Sequence, residues 1–549
     1  MVKPNTRLQV MWNRLLAVVE EQGQALIRAA FSPIVRECGD ISAGIFDLQG
    51  RMLAQAVTGT PGHINTMAEA VKTLRNRFEI HQMKPGDVFM TNDPWIASGH
   101  LNDFLLMMPV FHRGAVVGFT SCTSHLVDLG GLGMGPEGSD IYDEGLLIPP
   151  CKLMDQGILN TLLMDIVKAN SREPIANEGD IFALIACCET GAVRLAGMMD
   201  EFGLDQLDGL ADYIIETSYR GTLDAIAELP QGTWHSVLTV DGYEKEIDLH
   251  AALTIAEDHI TLDFEGTSGL SGKGINVPLN YATAYSVFAL RCIIGPDIPN
   301  NAGSLAPFRV TAPEGCILNA QAPAPVAMRH TLGQMTPDLV YGCLSQAVPD
   351  LVPAEGASCM YDLPLRHVPE AAMTGSGQFA LELVFNGGTG ARPGLDGLSA
   401  TAFPSGVWGS QIETSEAVAP LLFNRRELRE NSGGPGRHRG GLGQRIEVQS
   451  ASDADFMVFL SVERVLNPAK GRHGGLAGAA GRIRIGADGA ALAGKGEVRV
   501  DAGKTLIFET PGGGGFGPPA ERSHQDVQRD LEEGLISQET ALDIYGTTP

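Results

Sequence analysis

Two H-x-x-D elements, His100-Leu-Asn-Asp103 and His125-Leu-Val-Asp128, carry the clearest chemical potential in this chain, and they begin 25 residues apart. Imidazole suits Zn²⁺, and mixed imidazole–carboxylate sets also accept Mn²⁺ or Fe²⁺. An isolated element of this kind more often caps a loop. Two of them serve one ion only if the fold brings them together. Residues 104–111 and 116–123 read as antiparallel strands, with His112-Arg-Gly-Ala115 as the tight turn. With Arg113-Gly114 as a two-residue loop, His112 pairs with Ala115 and Asn102 falls opposite His125. Strand alternation then places His100 and His125 on one face, at the open end of a hairpin.

Other candidates are weaker taken singly. Asp40 stands immediately before an expected strand, where it could add a carboxylate to the same ion. His63, in Thr60-Pro-Gly-His-Ile-Asn65, opens a helix and reads as either a capping-region residue or a functional one. Arg329-His330 follows a Pro-rich segment and could face an anionic substrate or tie down a loop. Gly489-Ala-Ala-Leu-Ala-Gly494-Lys495 has the spacing of a phosphate loop, but Gly496 stands where Ser or Thr is required. The sequence contains no G-x-S-x-G nucleophile elbow.

These residues need elements to position them. Apolar spacing predicts helices over 5–31 and 65–78, with strands over 41–46 and 52–56 between them. A long helical region follows over 175–228, then alternating strands over 233–265. Helices are expected over 277–294 and 336–347, then short strands with Gly-rich turns from about 380, and a helical pair over 523–545 broken at Gly534. The expected class is α+β (mixed) and multi-domain. A mixed α/β metal-bearing domain (1–230) precedes a middle α+β domain (231–380), a Gly-rich β domain (381–520) and a C-terminal helical segment (521–549).

At 549 residues the chain exceeds one core, and length alone suggests about three or four domains. A net charge of −26 argues against a nucleic-acid partner. Apolar runs such as 104–111 are too short for a membrane span, and the N-terminus lacks a signal-peptide apolar region. Nine cysteines without C-x-x-C spacing read as buried reduced thiols, which suits a cytoplasmic protein.

Several segments together resemble the hydantoinase B/oxoprolinase family. They include Gly86-Asp-Val-Phe-Met-Thr-Asn-Asp-Pro94, Gly99-His-Leu-Asn-Asp103 and Ser124-His-Leu-Val-Asp-Leu-Gly-Gly131. Glu144-Gly-Leu-Leu-Ile-Pro-Pro150, Asn300-Asn-Ala-Gly303, Gly387-Gly-Thr-Gly-Ala-Arg392 and Pro511-Gly-Gly-Gly-Gly-Phe-Gly-Pro518 continue the match in order. The resemblance implies a divalent metal, Zn²⁺ or Mn²⁺, with Asp40, His100, Asp103 and His125 as ligands. It implies that Asp128 orients a ligand imidazole, and His63 and Arg329 join it as candidate catalytic side chains. Family members often carry a second His where this chain has Leu126, so a proton relay at that position is not implied here.

The resemblance also implies a partner, a hydantoinase A-type subunit that binds ATP, in a hetero-oligomer. The implied reaction is ATP-dependent opening of a cyclic amide such as a hydantoin, 5-oxoproline or a lactam. Phosphorylation in the partner would activate the carbonyl, and metal-activated water would attack it, with Asp103 or Asp128 steering the proton. A ketone carboxylase subunit of the acetone type, or a non-catalytic scaffold, is the alternative.

Overall fold

In the computed structural model, residues 6–57, 59–368 and 379–547 are described. Residue 5 of the expected first helix lies outside them. An antiparallel seven-stranded sheet organises the first part of the chain. Its strands are β1 (Ile41–Phe46), β2 (Met52–Gln55), β3 (Val88–Thr91), β4 (Asp103–His112), β5 (Ala115–His125), β6 (Cys151–Asp155) and β7 (Ile158–Leu159). Their order is β2-β1-β5-β4-β3-β6-β7, so the long hairpin β4–β5 lies inside the sheet. Both faces are covered. Phe104, Leu106 and Cys122 share a core with helices Thr6–Ala29 and Pro174–Phe202. Leu105, Met107 and Phe119 on the other face pack on helix Pro61–Arg77, which opens with Pro at its first position.

The hairpin departs from the expected register in one way that matters. The tip is as read, with His112 opposite Ala115 and positive φ at Arg113 (50°) and Gly114 (83°). Phe111 pairs with Val116 but Val110 pairs with Gly118, so Val117 is an extra residue on β5. This bulge shifts the remaining pairing by one, and Asp103, not Asn102, lies opposite His125. His100 therefore belongs to the turn before β4, and strand alternation is not what places it.

Helix Pro174–Phe202 is long and apolar enough to cross a membrane, although no apolar run was expected to be. Its apolar composition serves the core: Leu184, Cys188 and Leu195 are fully buried beside the hairpin and the first helix. Buried Asp180 on the same helix accepts hydrogen bonds from the Phe31 and Ser32 backbone N–H groups.

A second sheet combines β8 (Gly232–Val240), β9 (Ile247–Ile255), β10 (Ile260–Asp263) and β11 (Phe308–Thr311) in the order β11-β10-β9-β8. Helices Leu279–Ile293 and Thr336–Ala347 complete that core. Two further sheets enclose a third core. One is ordered β13-β12-β16-β18, from β12 (Tyr361–His367), β13 (Ala380–Phe385), β16 (Phe456–Ser461) and β18 (Lys495–Val500). The other is ordered β14-β15-β19-β17, from β14 (Leu421–Leu428), β15 (Gln444–Ser450), β17 (Arg482–Ile485) and β19 (Thr505–Glu509). Strand β12 lies ahead of residue 380 and pairs with β13.

The Gly-rich segments pack against one another. A Cβ on Gly388 would lie 1.9 Å from the Gly441 carbonyl oxygen, and one on Gly513 would lie 1.9 Å from that of Thr389. Only glycine permits such backbone contact. The expected C-terminal pair is present as His524–Glu532 and Gln538–Asp543. All nine cysteines are free thiols, and most are buried.

Candidate metal centre

Three neighbouring strands of the first sheet deliver carboxylate and imidazole to one edge. The His125 backbone N–H donates to the Asp40 carbonyl, which sets Asp40 beside His125, while the bulged register sets Asp103 on its other side. The ligand atoms of His100, Asp103 and His125 lie within 4.8 Å of one another, and all three side chains are buried. Among the described residues no other trio of His, Cys, Asp or Glu meets that criterion.

Asp103 is the hub. Its Oδ1 lies 2.8 Å from His100 Nε2 and 3.2 Å from His125 Nδ1, and its Oδ2 lies 3.0 Å from His63 Nε2. Arg329 Nη2 donates to the same Oδ2 at 2.6 Å. Burial alone would raise the Asp103 pKa, but the Arg329 guanidinium beside it holds it below the usual carboxylate range. Asp40 joins through His63, with Oδ1 3.6 Å from His63 Nε2, and accepts a hydrogen bond from Thr60 Oγ1 at 3.0 Å.

The donor set fits a divalent ion. His100 Nδ1 sits 3.0 Å from the Ala327 carbonyl oxygen, which can only accept, so Nδ1 carries the proton. Burial and the Arg329 guanidinium push the His100 pKa down to about 4, so the ring is neutral and Nε2 presents a lone pair. That lone pair faces an ionised carboxylate oxygen at 2.8 Å, and Nε2 makes no hydrogen bond. Two facing acceptors of this kind call for a cation between them. His125 is held differently: its Nε2 lies 3.0 Å from Glu382 Oε1 and its Nδ1 3.2 Å from Asp103 Oδ1, each within hydrogen-bond distance of a carboxylate. Burial opposes charge on this ring, but Glu382 and Asp103 hold its pKa well above the ordinary value.

The remaining candidates separate. Arg329 is committed to structure: its Nε donates to the Ser98 carbonyl at 2.9 Å, and its guanidinium lies 4.3 Å from the Tyr281 ring centroid. Asp128 is not brought to the imidazoles. Its carboxylate pairs with Arg172, and its carbonyl accepts from Asn177. His330 is fully buried with neither ring nitrogen hydrogen-bonded, and its Nε2 lies 3.8 Å from Asp362 Oδ2. Lys495 opens strand β18 rather than a helix, and its ammonium is held by Glu463 at 2.9 Å.

The profile of the Hydantoinase B/oxoprolinase family matches residues 5–519. The chain belongs to that family. It is 30% identical over 568 residues to the B-type subunit of a putative D-/L-hydantoinase from Pseudomonas sp. (strain NS671), covering 98% of this chain and 94% of that one. It is 28% identical to the beta subunit of caprolactamase from Pseudomonas jessenii, covering 98% and 95%. Against 5-oxoprolinase 1 of Arabidopsis thaliana it is 28% identical, and the match takes 93% of this chain but only 42% of that protein. The crystal structure of ATP-dependent caprolactamase from Pseudomonas jessenii superposes with a TM-score of 0.90 at 26% identity, over 100% of this chain and 97% of that one. Acetone carboxylase shares the fold, with a TM-score of 0.87 at 21% identity, over 98% and 79%.

Within this family member, motif reading missed two carboxylates. Glu382 lies on β13 and holds His125 from the third core. Its signal was a lone acid in the apolar run Ala-Leu-Glu-Leu-Val-Phe, buried on both sides. Glu144 Oε1 accepts the N–H groups of Val326 at 2.6 Å and Ala327 at 2.8 Å, and so fixes the peptide that holds His100.

Proposed function

We propose that this chain is the metal-dependent subunit of an ATP-dependent enzyme that opens cyclic amides. The observation that carries the reading is the His100–Asp103–His125 cluster, with a neutral imidazole lone pair set against an ionised carboxylate at 2.8 Å. His100, Asp103 and His125 would hold a divalent ion, Zn²⁺ or Mn²⁺, with Asp40 beside them. Such an ion supplies Lewis acidity and lowers the pKa of a coordinated water toward neutrality.

The chain's own residues do the rest. Glu382 fixes the His125 ring, and Arg329 keeps Asp103 ionised and aimed. His63, with Nε2 between Asp103 and Asp40 and a buried, unpartnered Nδ1, is placed to carry a proton. Opening a lactam consumes one water: the carbonyl carbon gains oxygen, and the ring nitrogen must gain a proton as the C–N bond breaks. An unactivated amide resists this, so carbonyl phosphorylation by ATP is the activating step. The nearest phosphate-loop look-alike here lies in a strand context, which supports an ATP-binding partner of the hydantoinase A type. Relatives named as B-type or beta subunits, and a 5-oxoprolinase more than twice as long, support that partner too. The sequence relatives are amide hydrolases by name, whereas the likeness to acetone carboxylase is one of fold.

The test is metal analysis of wild type and His100→Ala, then ATP turnover with the co-expressed neighbouring subunit. We expect about one divalent ion per chain, lost in the variant, and turnover stimulated by hydantoins or lactams. Unchanged metal content would refute the centre. Stimulation only by a ketone with bicarbonate would refute the hydrolase.

A further inference from the structure

Among the described residues five arginines are buried: Arg291, Arg329, Arg439, Arg464 and Arg522. Four of them meet carboxylates. Arg329 pairs with Asp103, Arg439 and Arg522 with Asp530, and Arg464 with Asp338 and Glu355. Arg291 meets none of the described carboxylates, and the side chain that bears on its charge is the neighbouring Cys292. Burial pushes that thiol up to about 11, so it is neutral at physiological pH and offsets nothing. A guanidinium taken out of water without a counter-ion is costly, which is why buried charges in folded chains are paired.

Local structure accounts for part of this guanidinium. Arg291 stands in the last turn of helix Leu279–Ile293, where a cation complements the helix dipole. Its Nη1 and Nη2 donate to the carbonyls of Ile294 and Ile298 at 2.6 and 2.7 Å. These carbonyls tie down the turn after the helix but carry no net charge. Nε is buried without a hydrogen-bond partner, so the guanidinium keeps both its charge and a spare donor.

Arg291 also lines a cavity of about 510 Å³, within the size range of small-molecule sites. No Asp, Glu or Lys belongs to that lining, so Arg291 is its charged group. Val57, Ile64, Phe288 and Ile298 supply apolar wall, and the carboxamides of Gln55, Asn65 and Asn300 are hydrogen-bonded to one another. One positive charge in such a wall is matched by one negative charge. A phosphate dianion would bring a second charge, and its hydration, against apolar surface. We propose that this cavity binds a small monocarboxylate with an apolar body, its carboxylate paired with Arg291. Gly59, Pro61 and Ile64 line the cavity, whereas Thr60 and His63 turn the other way to Asp40 and Asp103. That wall keeps the ligand apart from the metal centre, so it is not the group transformed there, and the assignment stands independently of the cyclic-amide reading.

The experiment titrates the protein with its co-purifying subunit against 4-bromobenzoate and 4-bromobenzamide, which share a shape and differ in charge. Charge-assisted pairing with Arg291 should favour 4-bromobenzoate at least about tenfold. Arg291→Gln should erase that preference, whereas Arg291→Lys keeps the charge and should retain part of it. His100→Ala should retain it in full, which separates this cavity from carboxylate binding at the metal centre. Inorganic phosphate should compete poorly. Crystals soaked with 4-bromobenzoate should place an anomalous bromine peak in the cavity, a readout that holds even if Arg291→Gln folds poorly. No binding of 4-bromobenzoate, equal affinities for the two probes, or equal competition by phosphate would overturn the proposal. So would a bromine peak only elsewhere, a preference unchanged in Arg291→Gln, or one lost in His100→Ala.

Discussion

His125 Nε2 meets Glu382 Oε1 at 3.0 Å across 257 residues of sequence, joining a strand end of the first sheet to a strand of the third core. The candidate centre is therefore completed by the docking of two separately built layers. A carboxylate behind a ligand imidazole fixes its tautomer and raises its basicity.

Removing Glu382 tests this directly. Glu382→Ala should weaken divalent-ion affinity by about 10–100-fold, measured by competition with a chromophoric chelator. Glu382→Gln keeps an acceptor for the ring N–H and should lose less. Wild-type affinity in both variants would mean that His125 needs no such support.

Glu144 gives the fold a pH dependence with a definite sign. Burial pushes its carboxyl up to about 8, only partly offset by the Ala327 and Val326 N–H groups, against 4.5 when exposed. The folded state thus holds a proton that the unfolded state has released. This contribution is full below about pH 4.5 and is lost as pH rises to about 8, at roughly 1.4 kcal/mol per unit at most. Melting curves of wild type and Glu144→Gln across that window should therefore diverge, with the wild type falling relative to the variant. Parallel curves would count against a protonated Glu144.

Arg329 should matter for stability as much as for the centre. Arg329→Met leaves Asp103 buried with one fewer cation and should cost about 3–5 kcal/mol in urea unfolding. Arg329→Lys keeps the charge but loses the paired geometry to Asp103 and Ser98 and the stacking on Tyr281, so it should fall between. A loss below about 1 kcal/mol for Arg329→Met would contradict the buried pairing.

Gly99 tests the turn that delivers His100. Its φ is +87°, and a Cβ there would lie 3.0 Å from Tyr281 Cβ and 3.2 Å from Arg329 Cγ. Gly99→Ala should cost about 1–3 kcal/mol and reduce metal content together with it. Full metal occupancy with unchanged stability would show that the turn has slack.

Much of this was legible in the sequence because its cause is local. The hairpin tip is encoded by Arg113-Gly114, the long helices by apolar spacing, and the clustered residues His100, Asp103 and His125 lie within two short motifs. What was not legible depends on long-range placement. Asp128 sits in a motif like that of Asp103, yet Arg172, 44 residues later, takes its carboxylate. Glu382 and Glu144 acquire their roles only when β13 and the 326–327 peptide dock on the hairpin end. The bulge was invisible because Val117 is an ordinary strand residue, and nothing in a run of apolar residues shows which one goes unpaired. The glycines could be seen but not their purpose, since contact between loops such as those at Gly388 and Gly441 is a property of the packed state.

That bulge divides the hairpin into two independently phased parts. Pairing from the tip to Phe111 is counted from the turn, whereas pairing from Val110 to His125 is counted from the extra residue. Deleting Val117 would close the bulge and leave every cross-strand pair in place, Asp103 opposite His125 included, changing only the local twist and the facing of the tip relative to that pair. A two-residue extension of the tip, lying beyond the bulge, would leave the centre's alignment untouched. The hairpin end near residues 112–115 is thus a natural place to attach a label or tether, and position 117 is the one where a single-residue deletion would reset the tip while sparing the pair of Asp103 with His125.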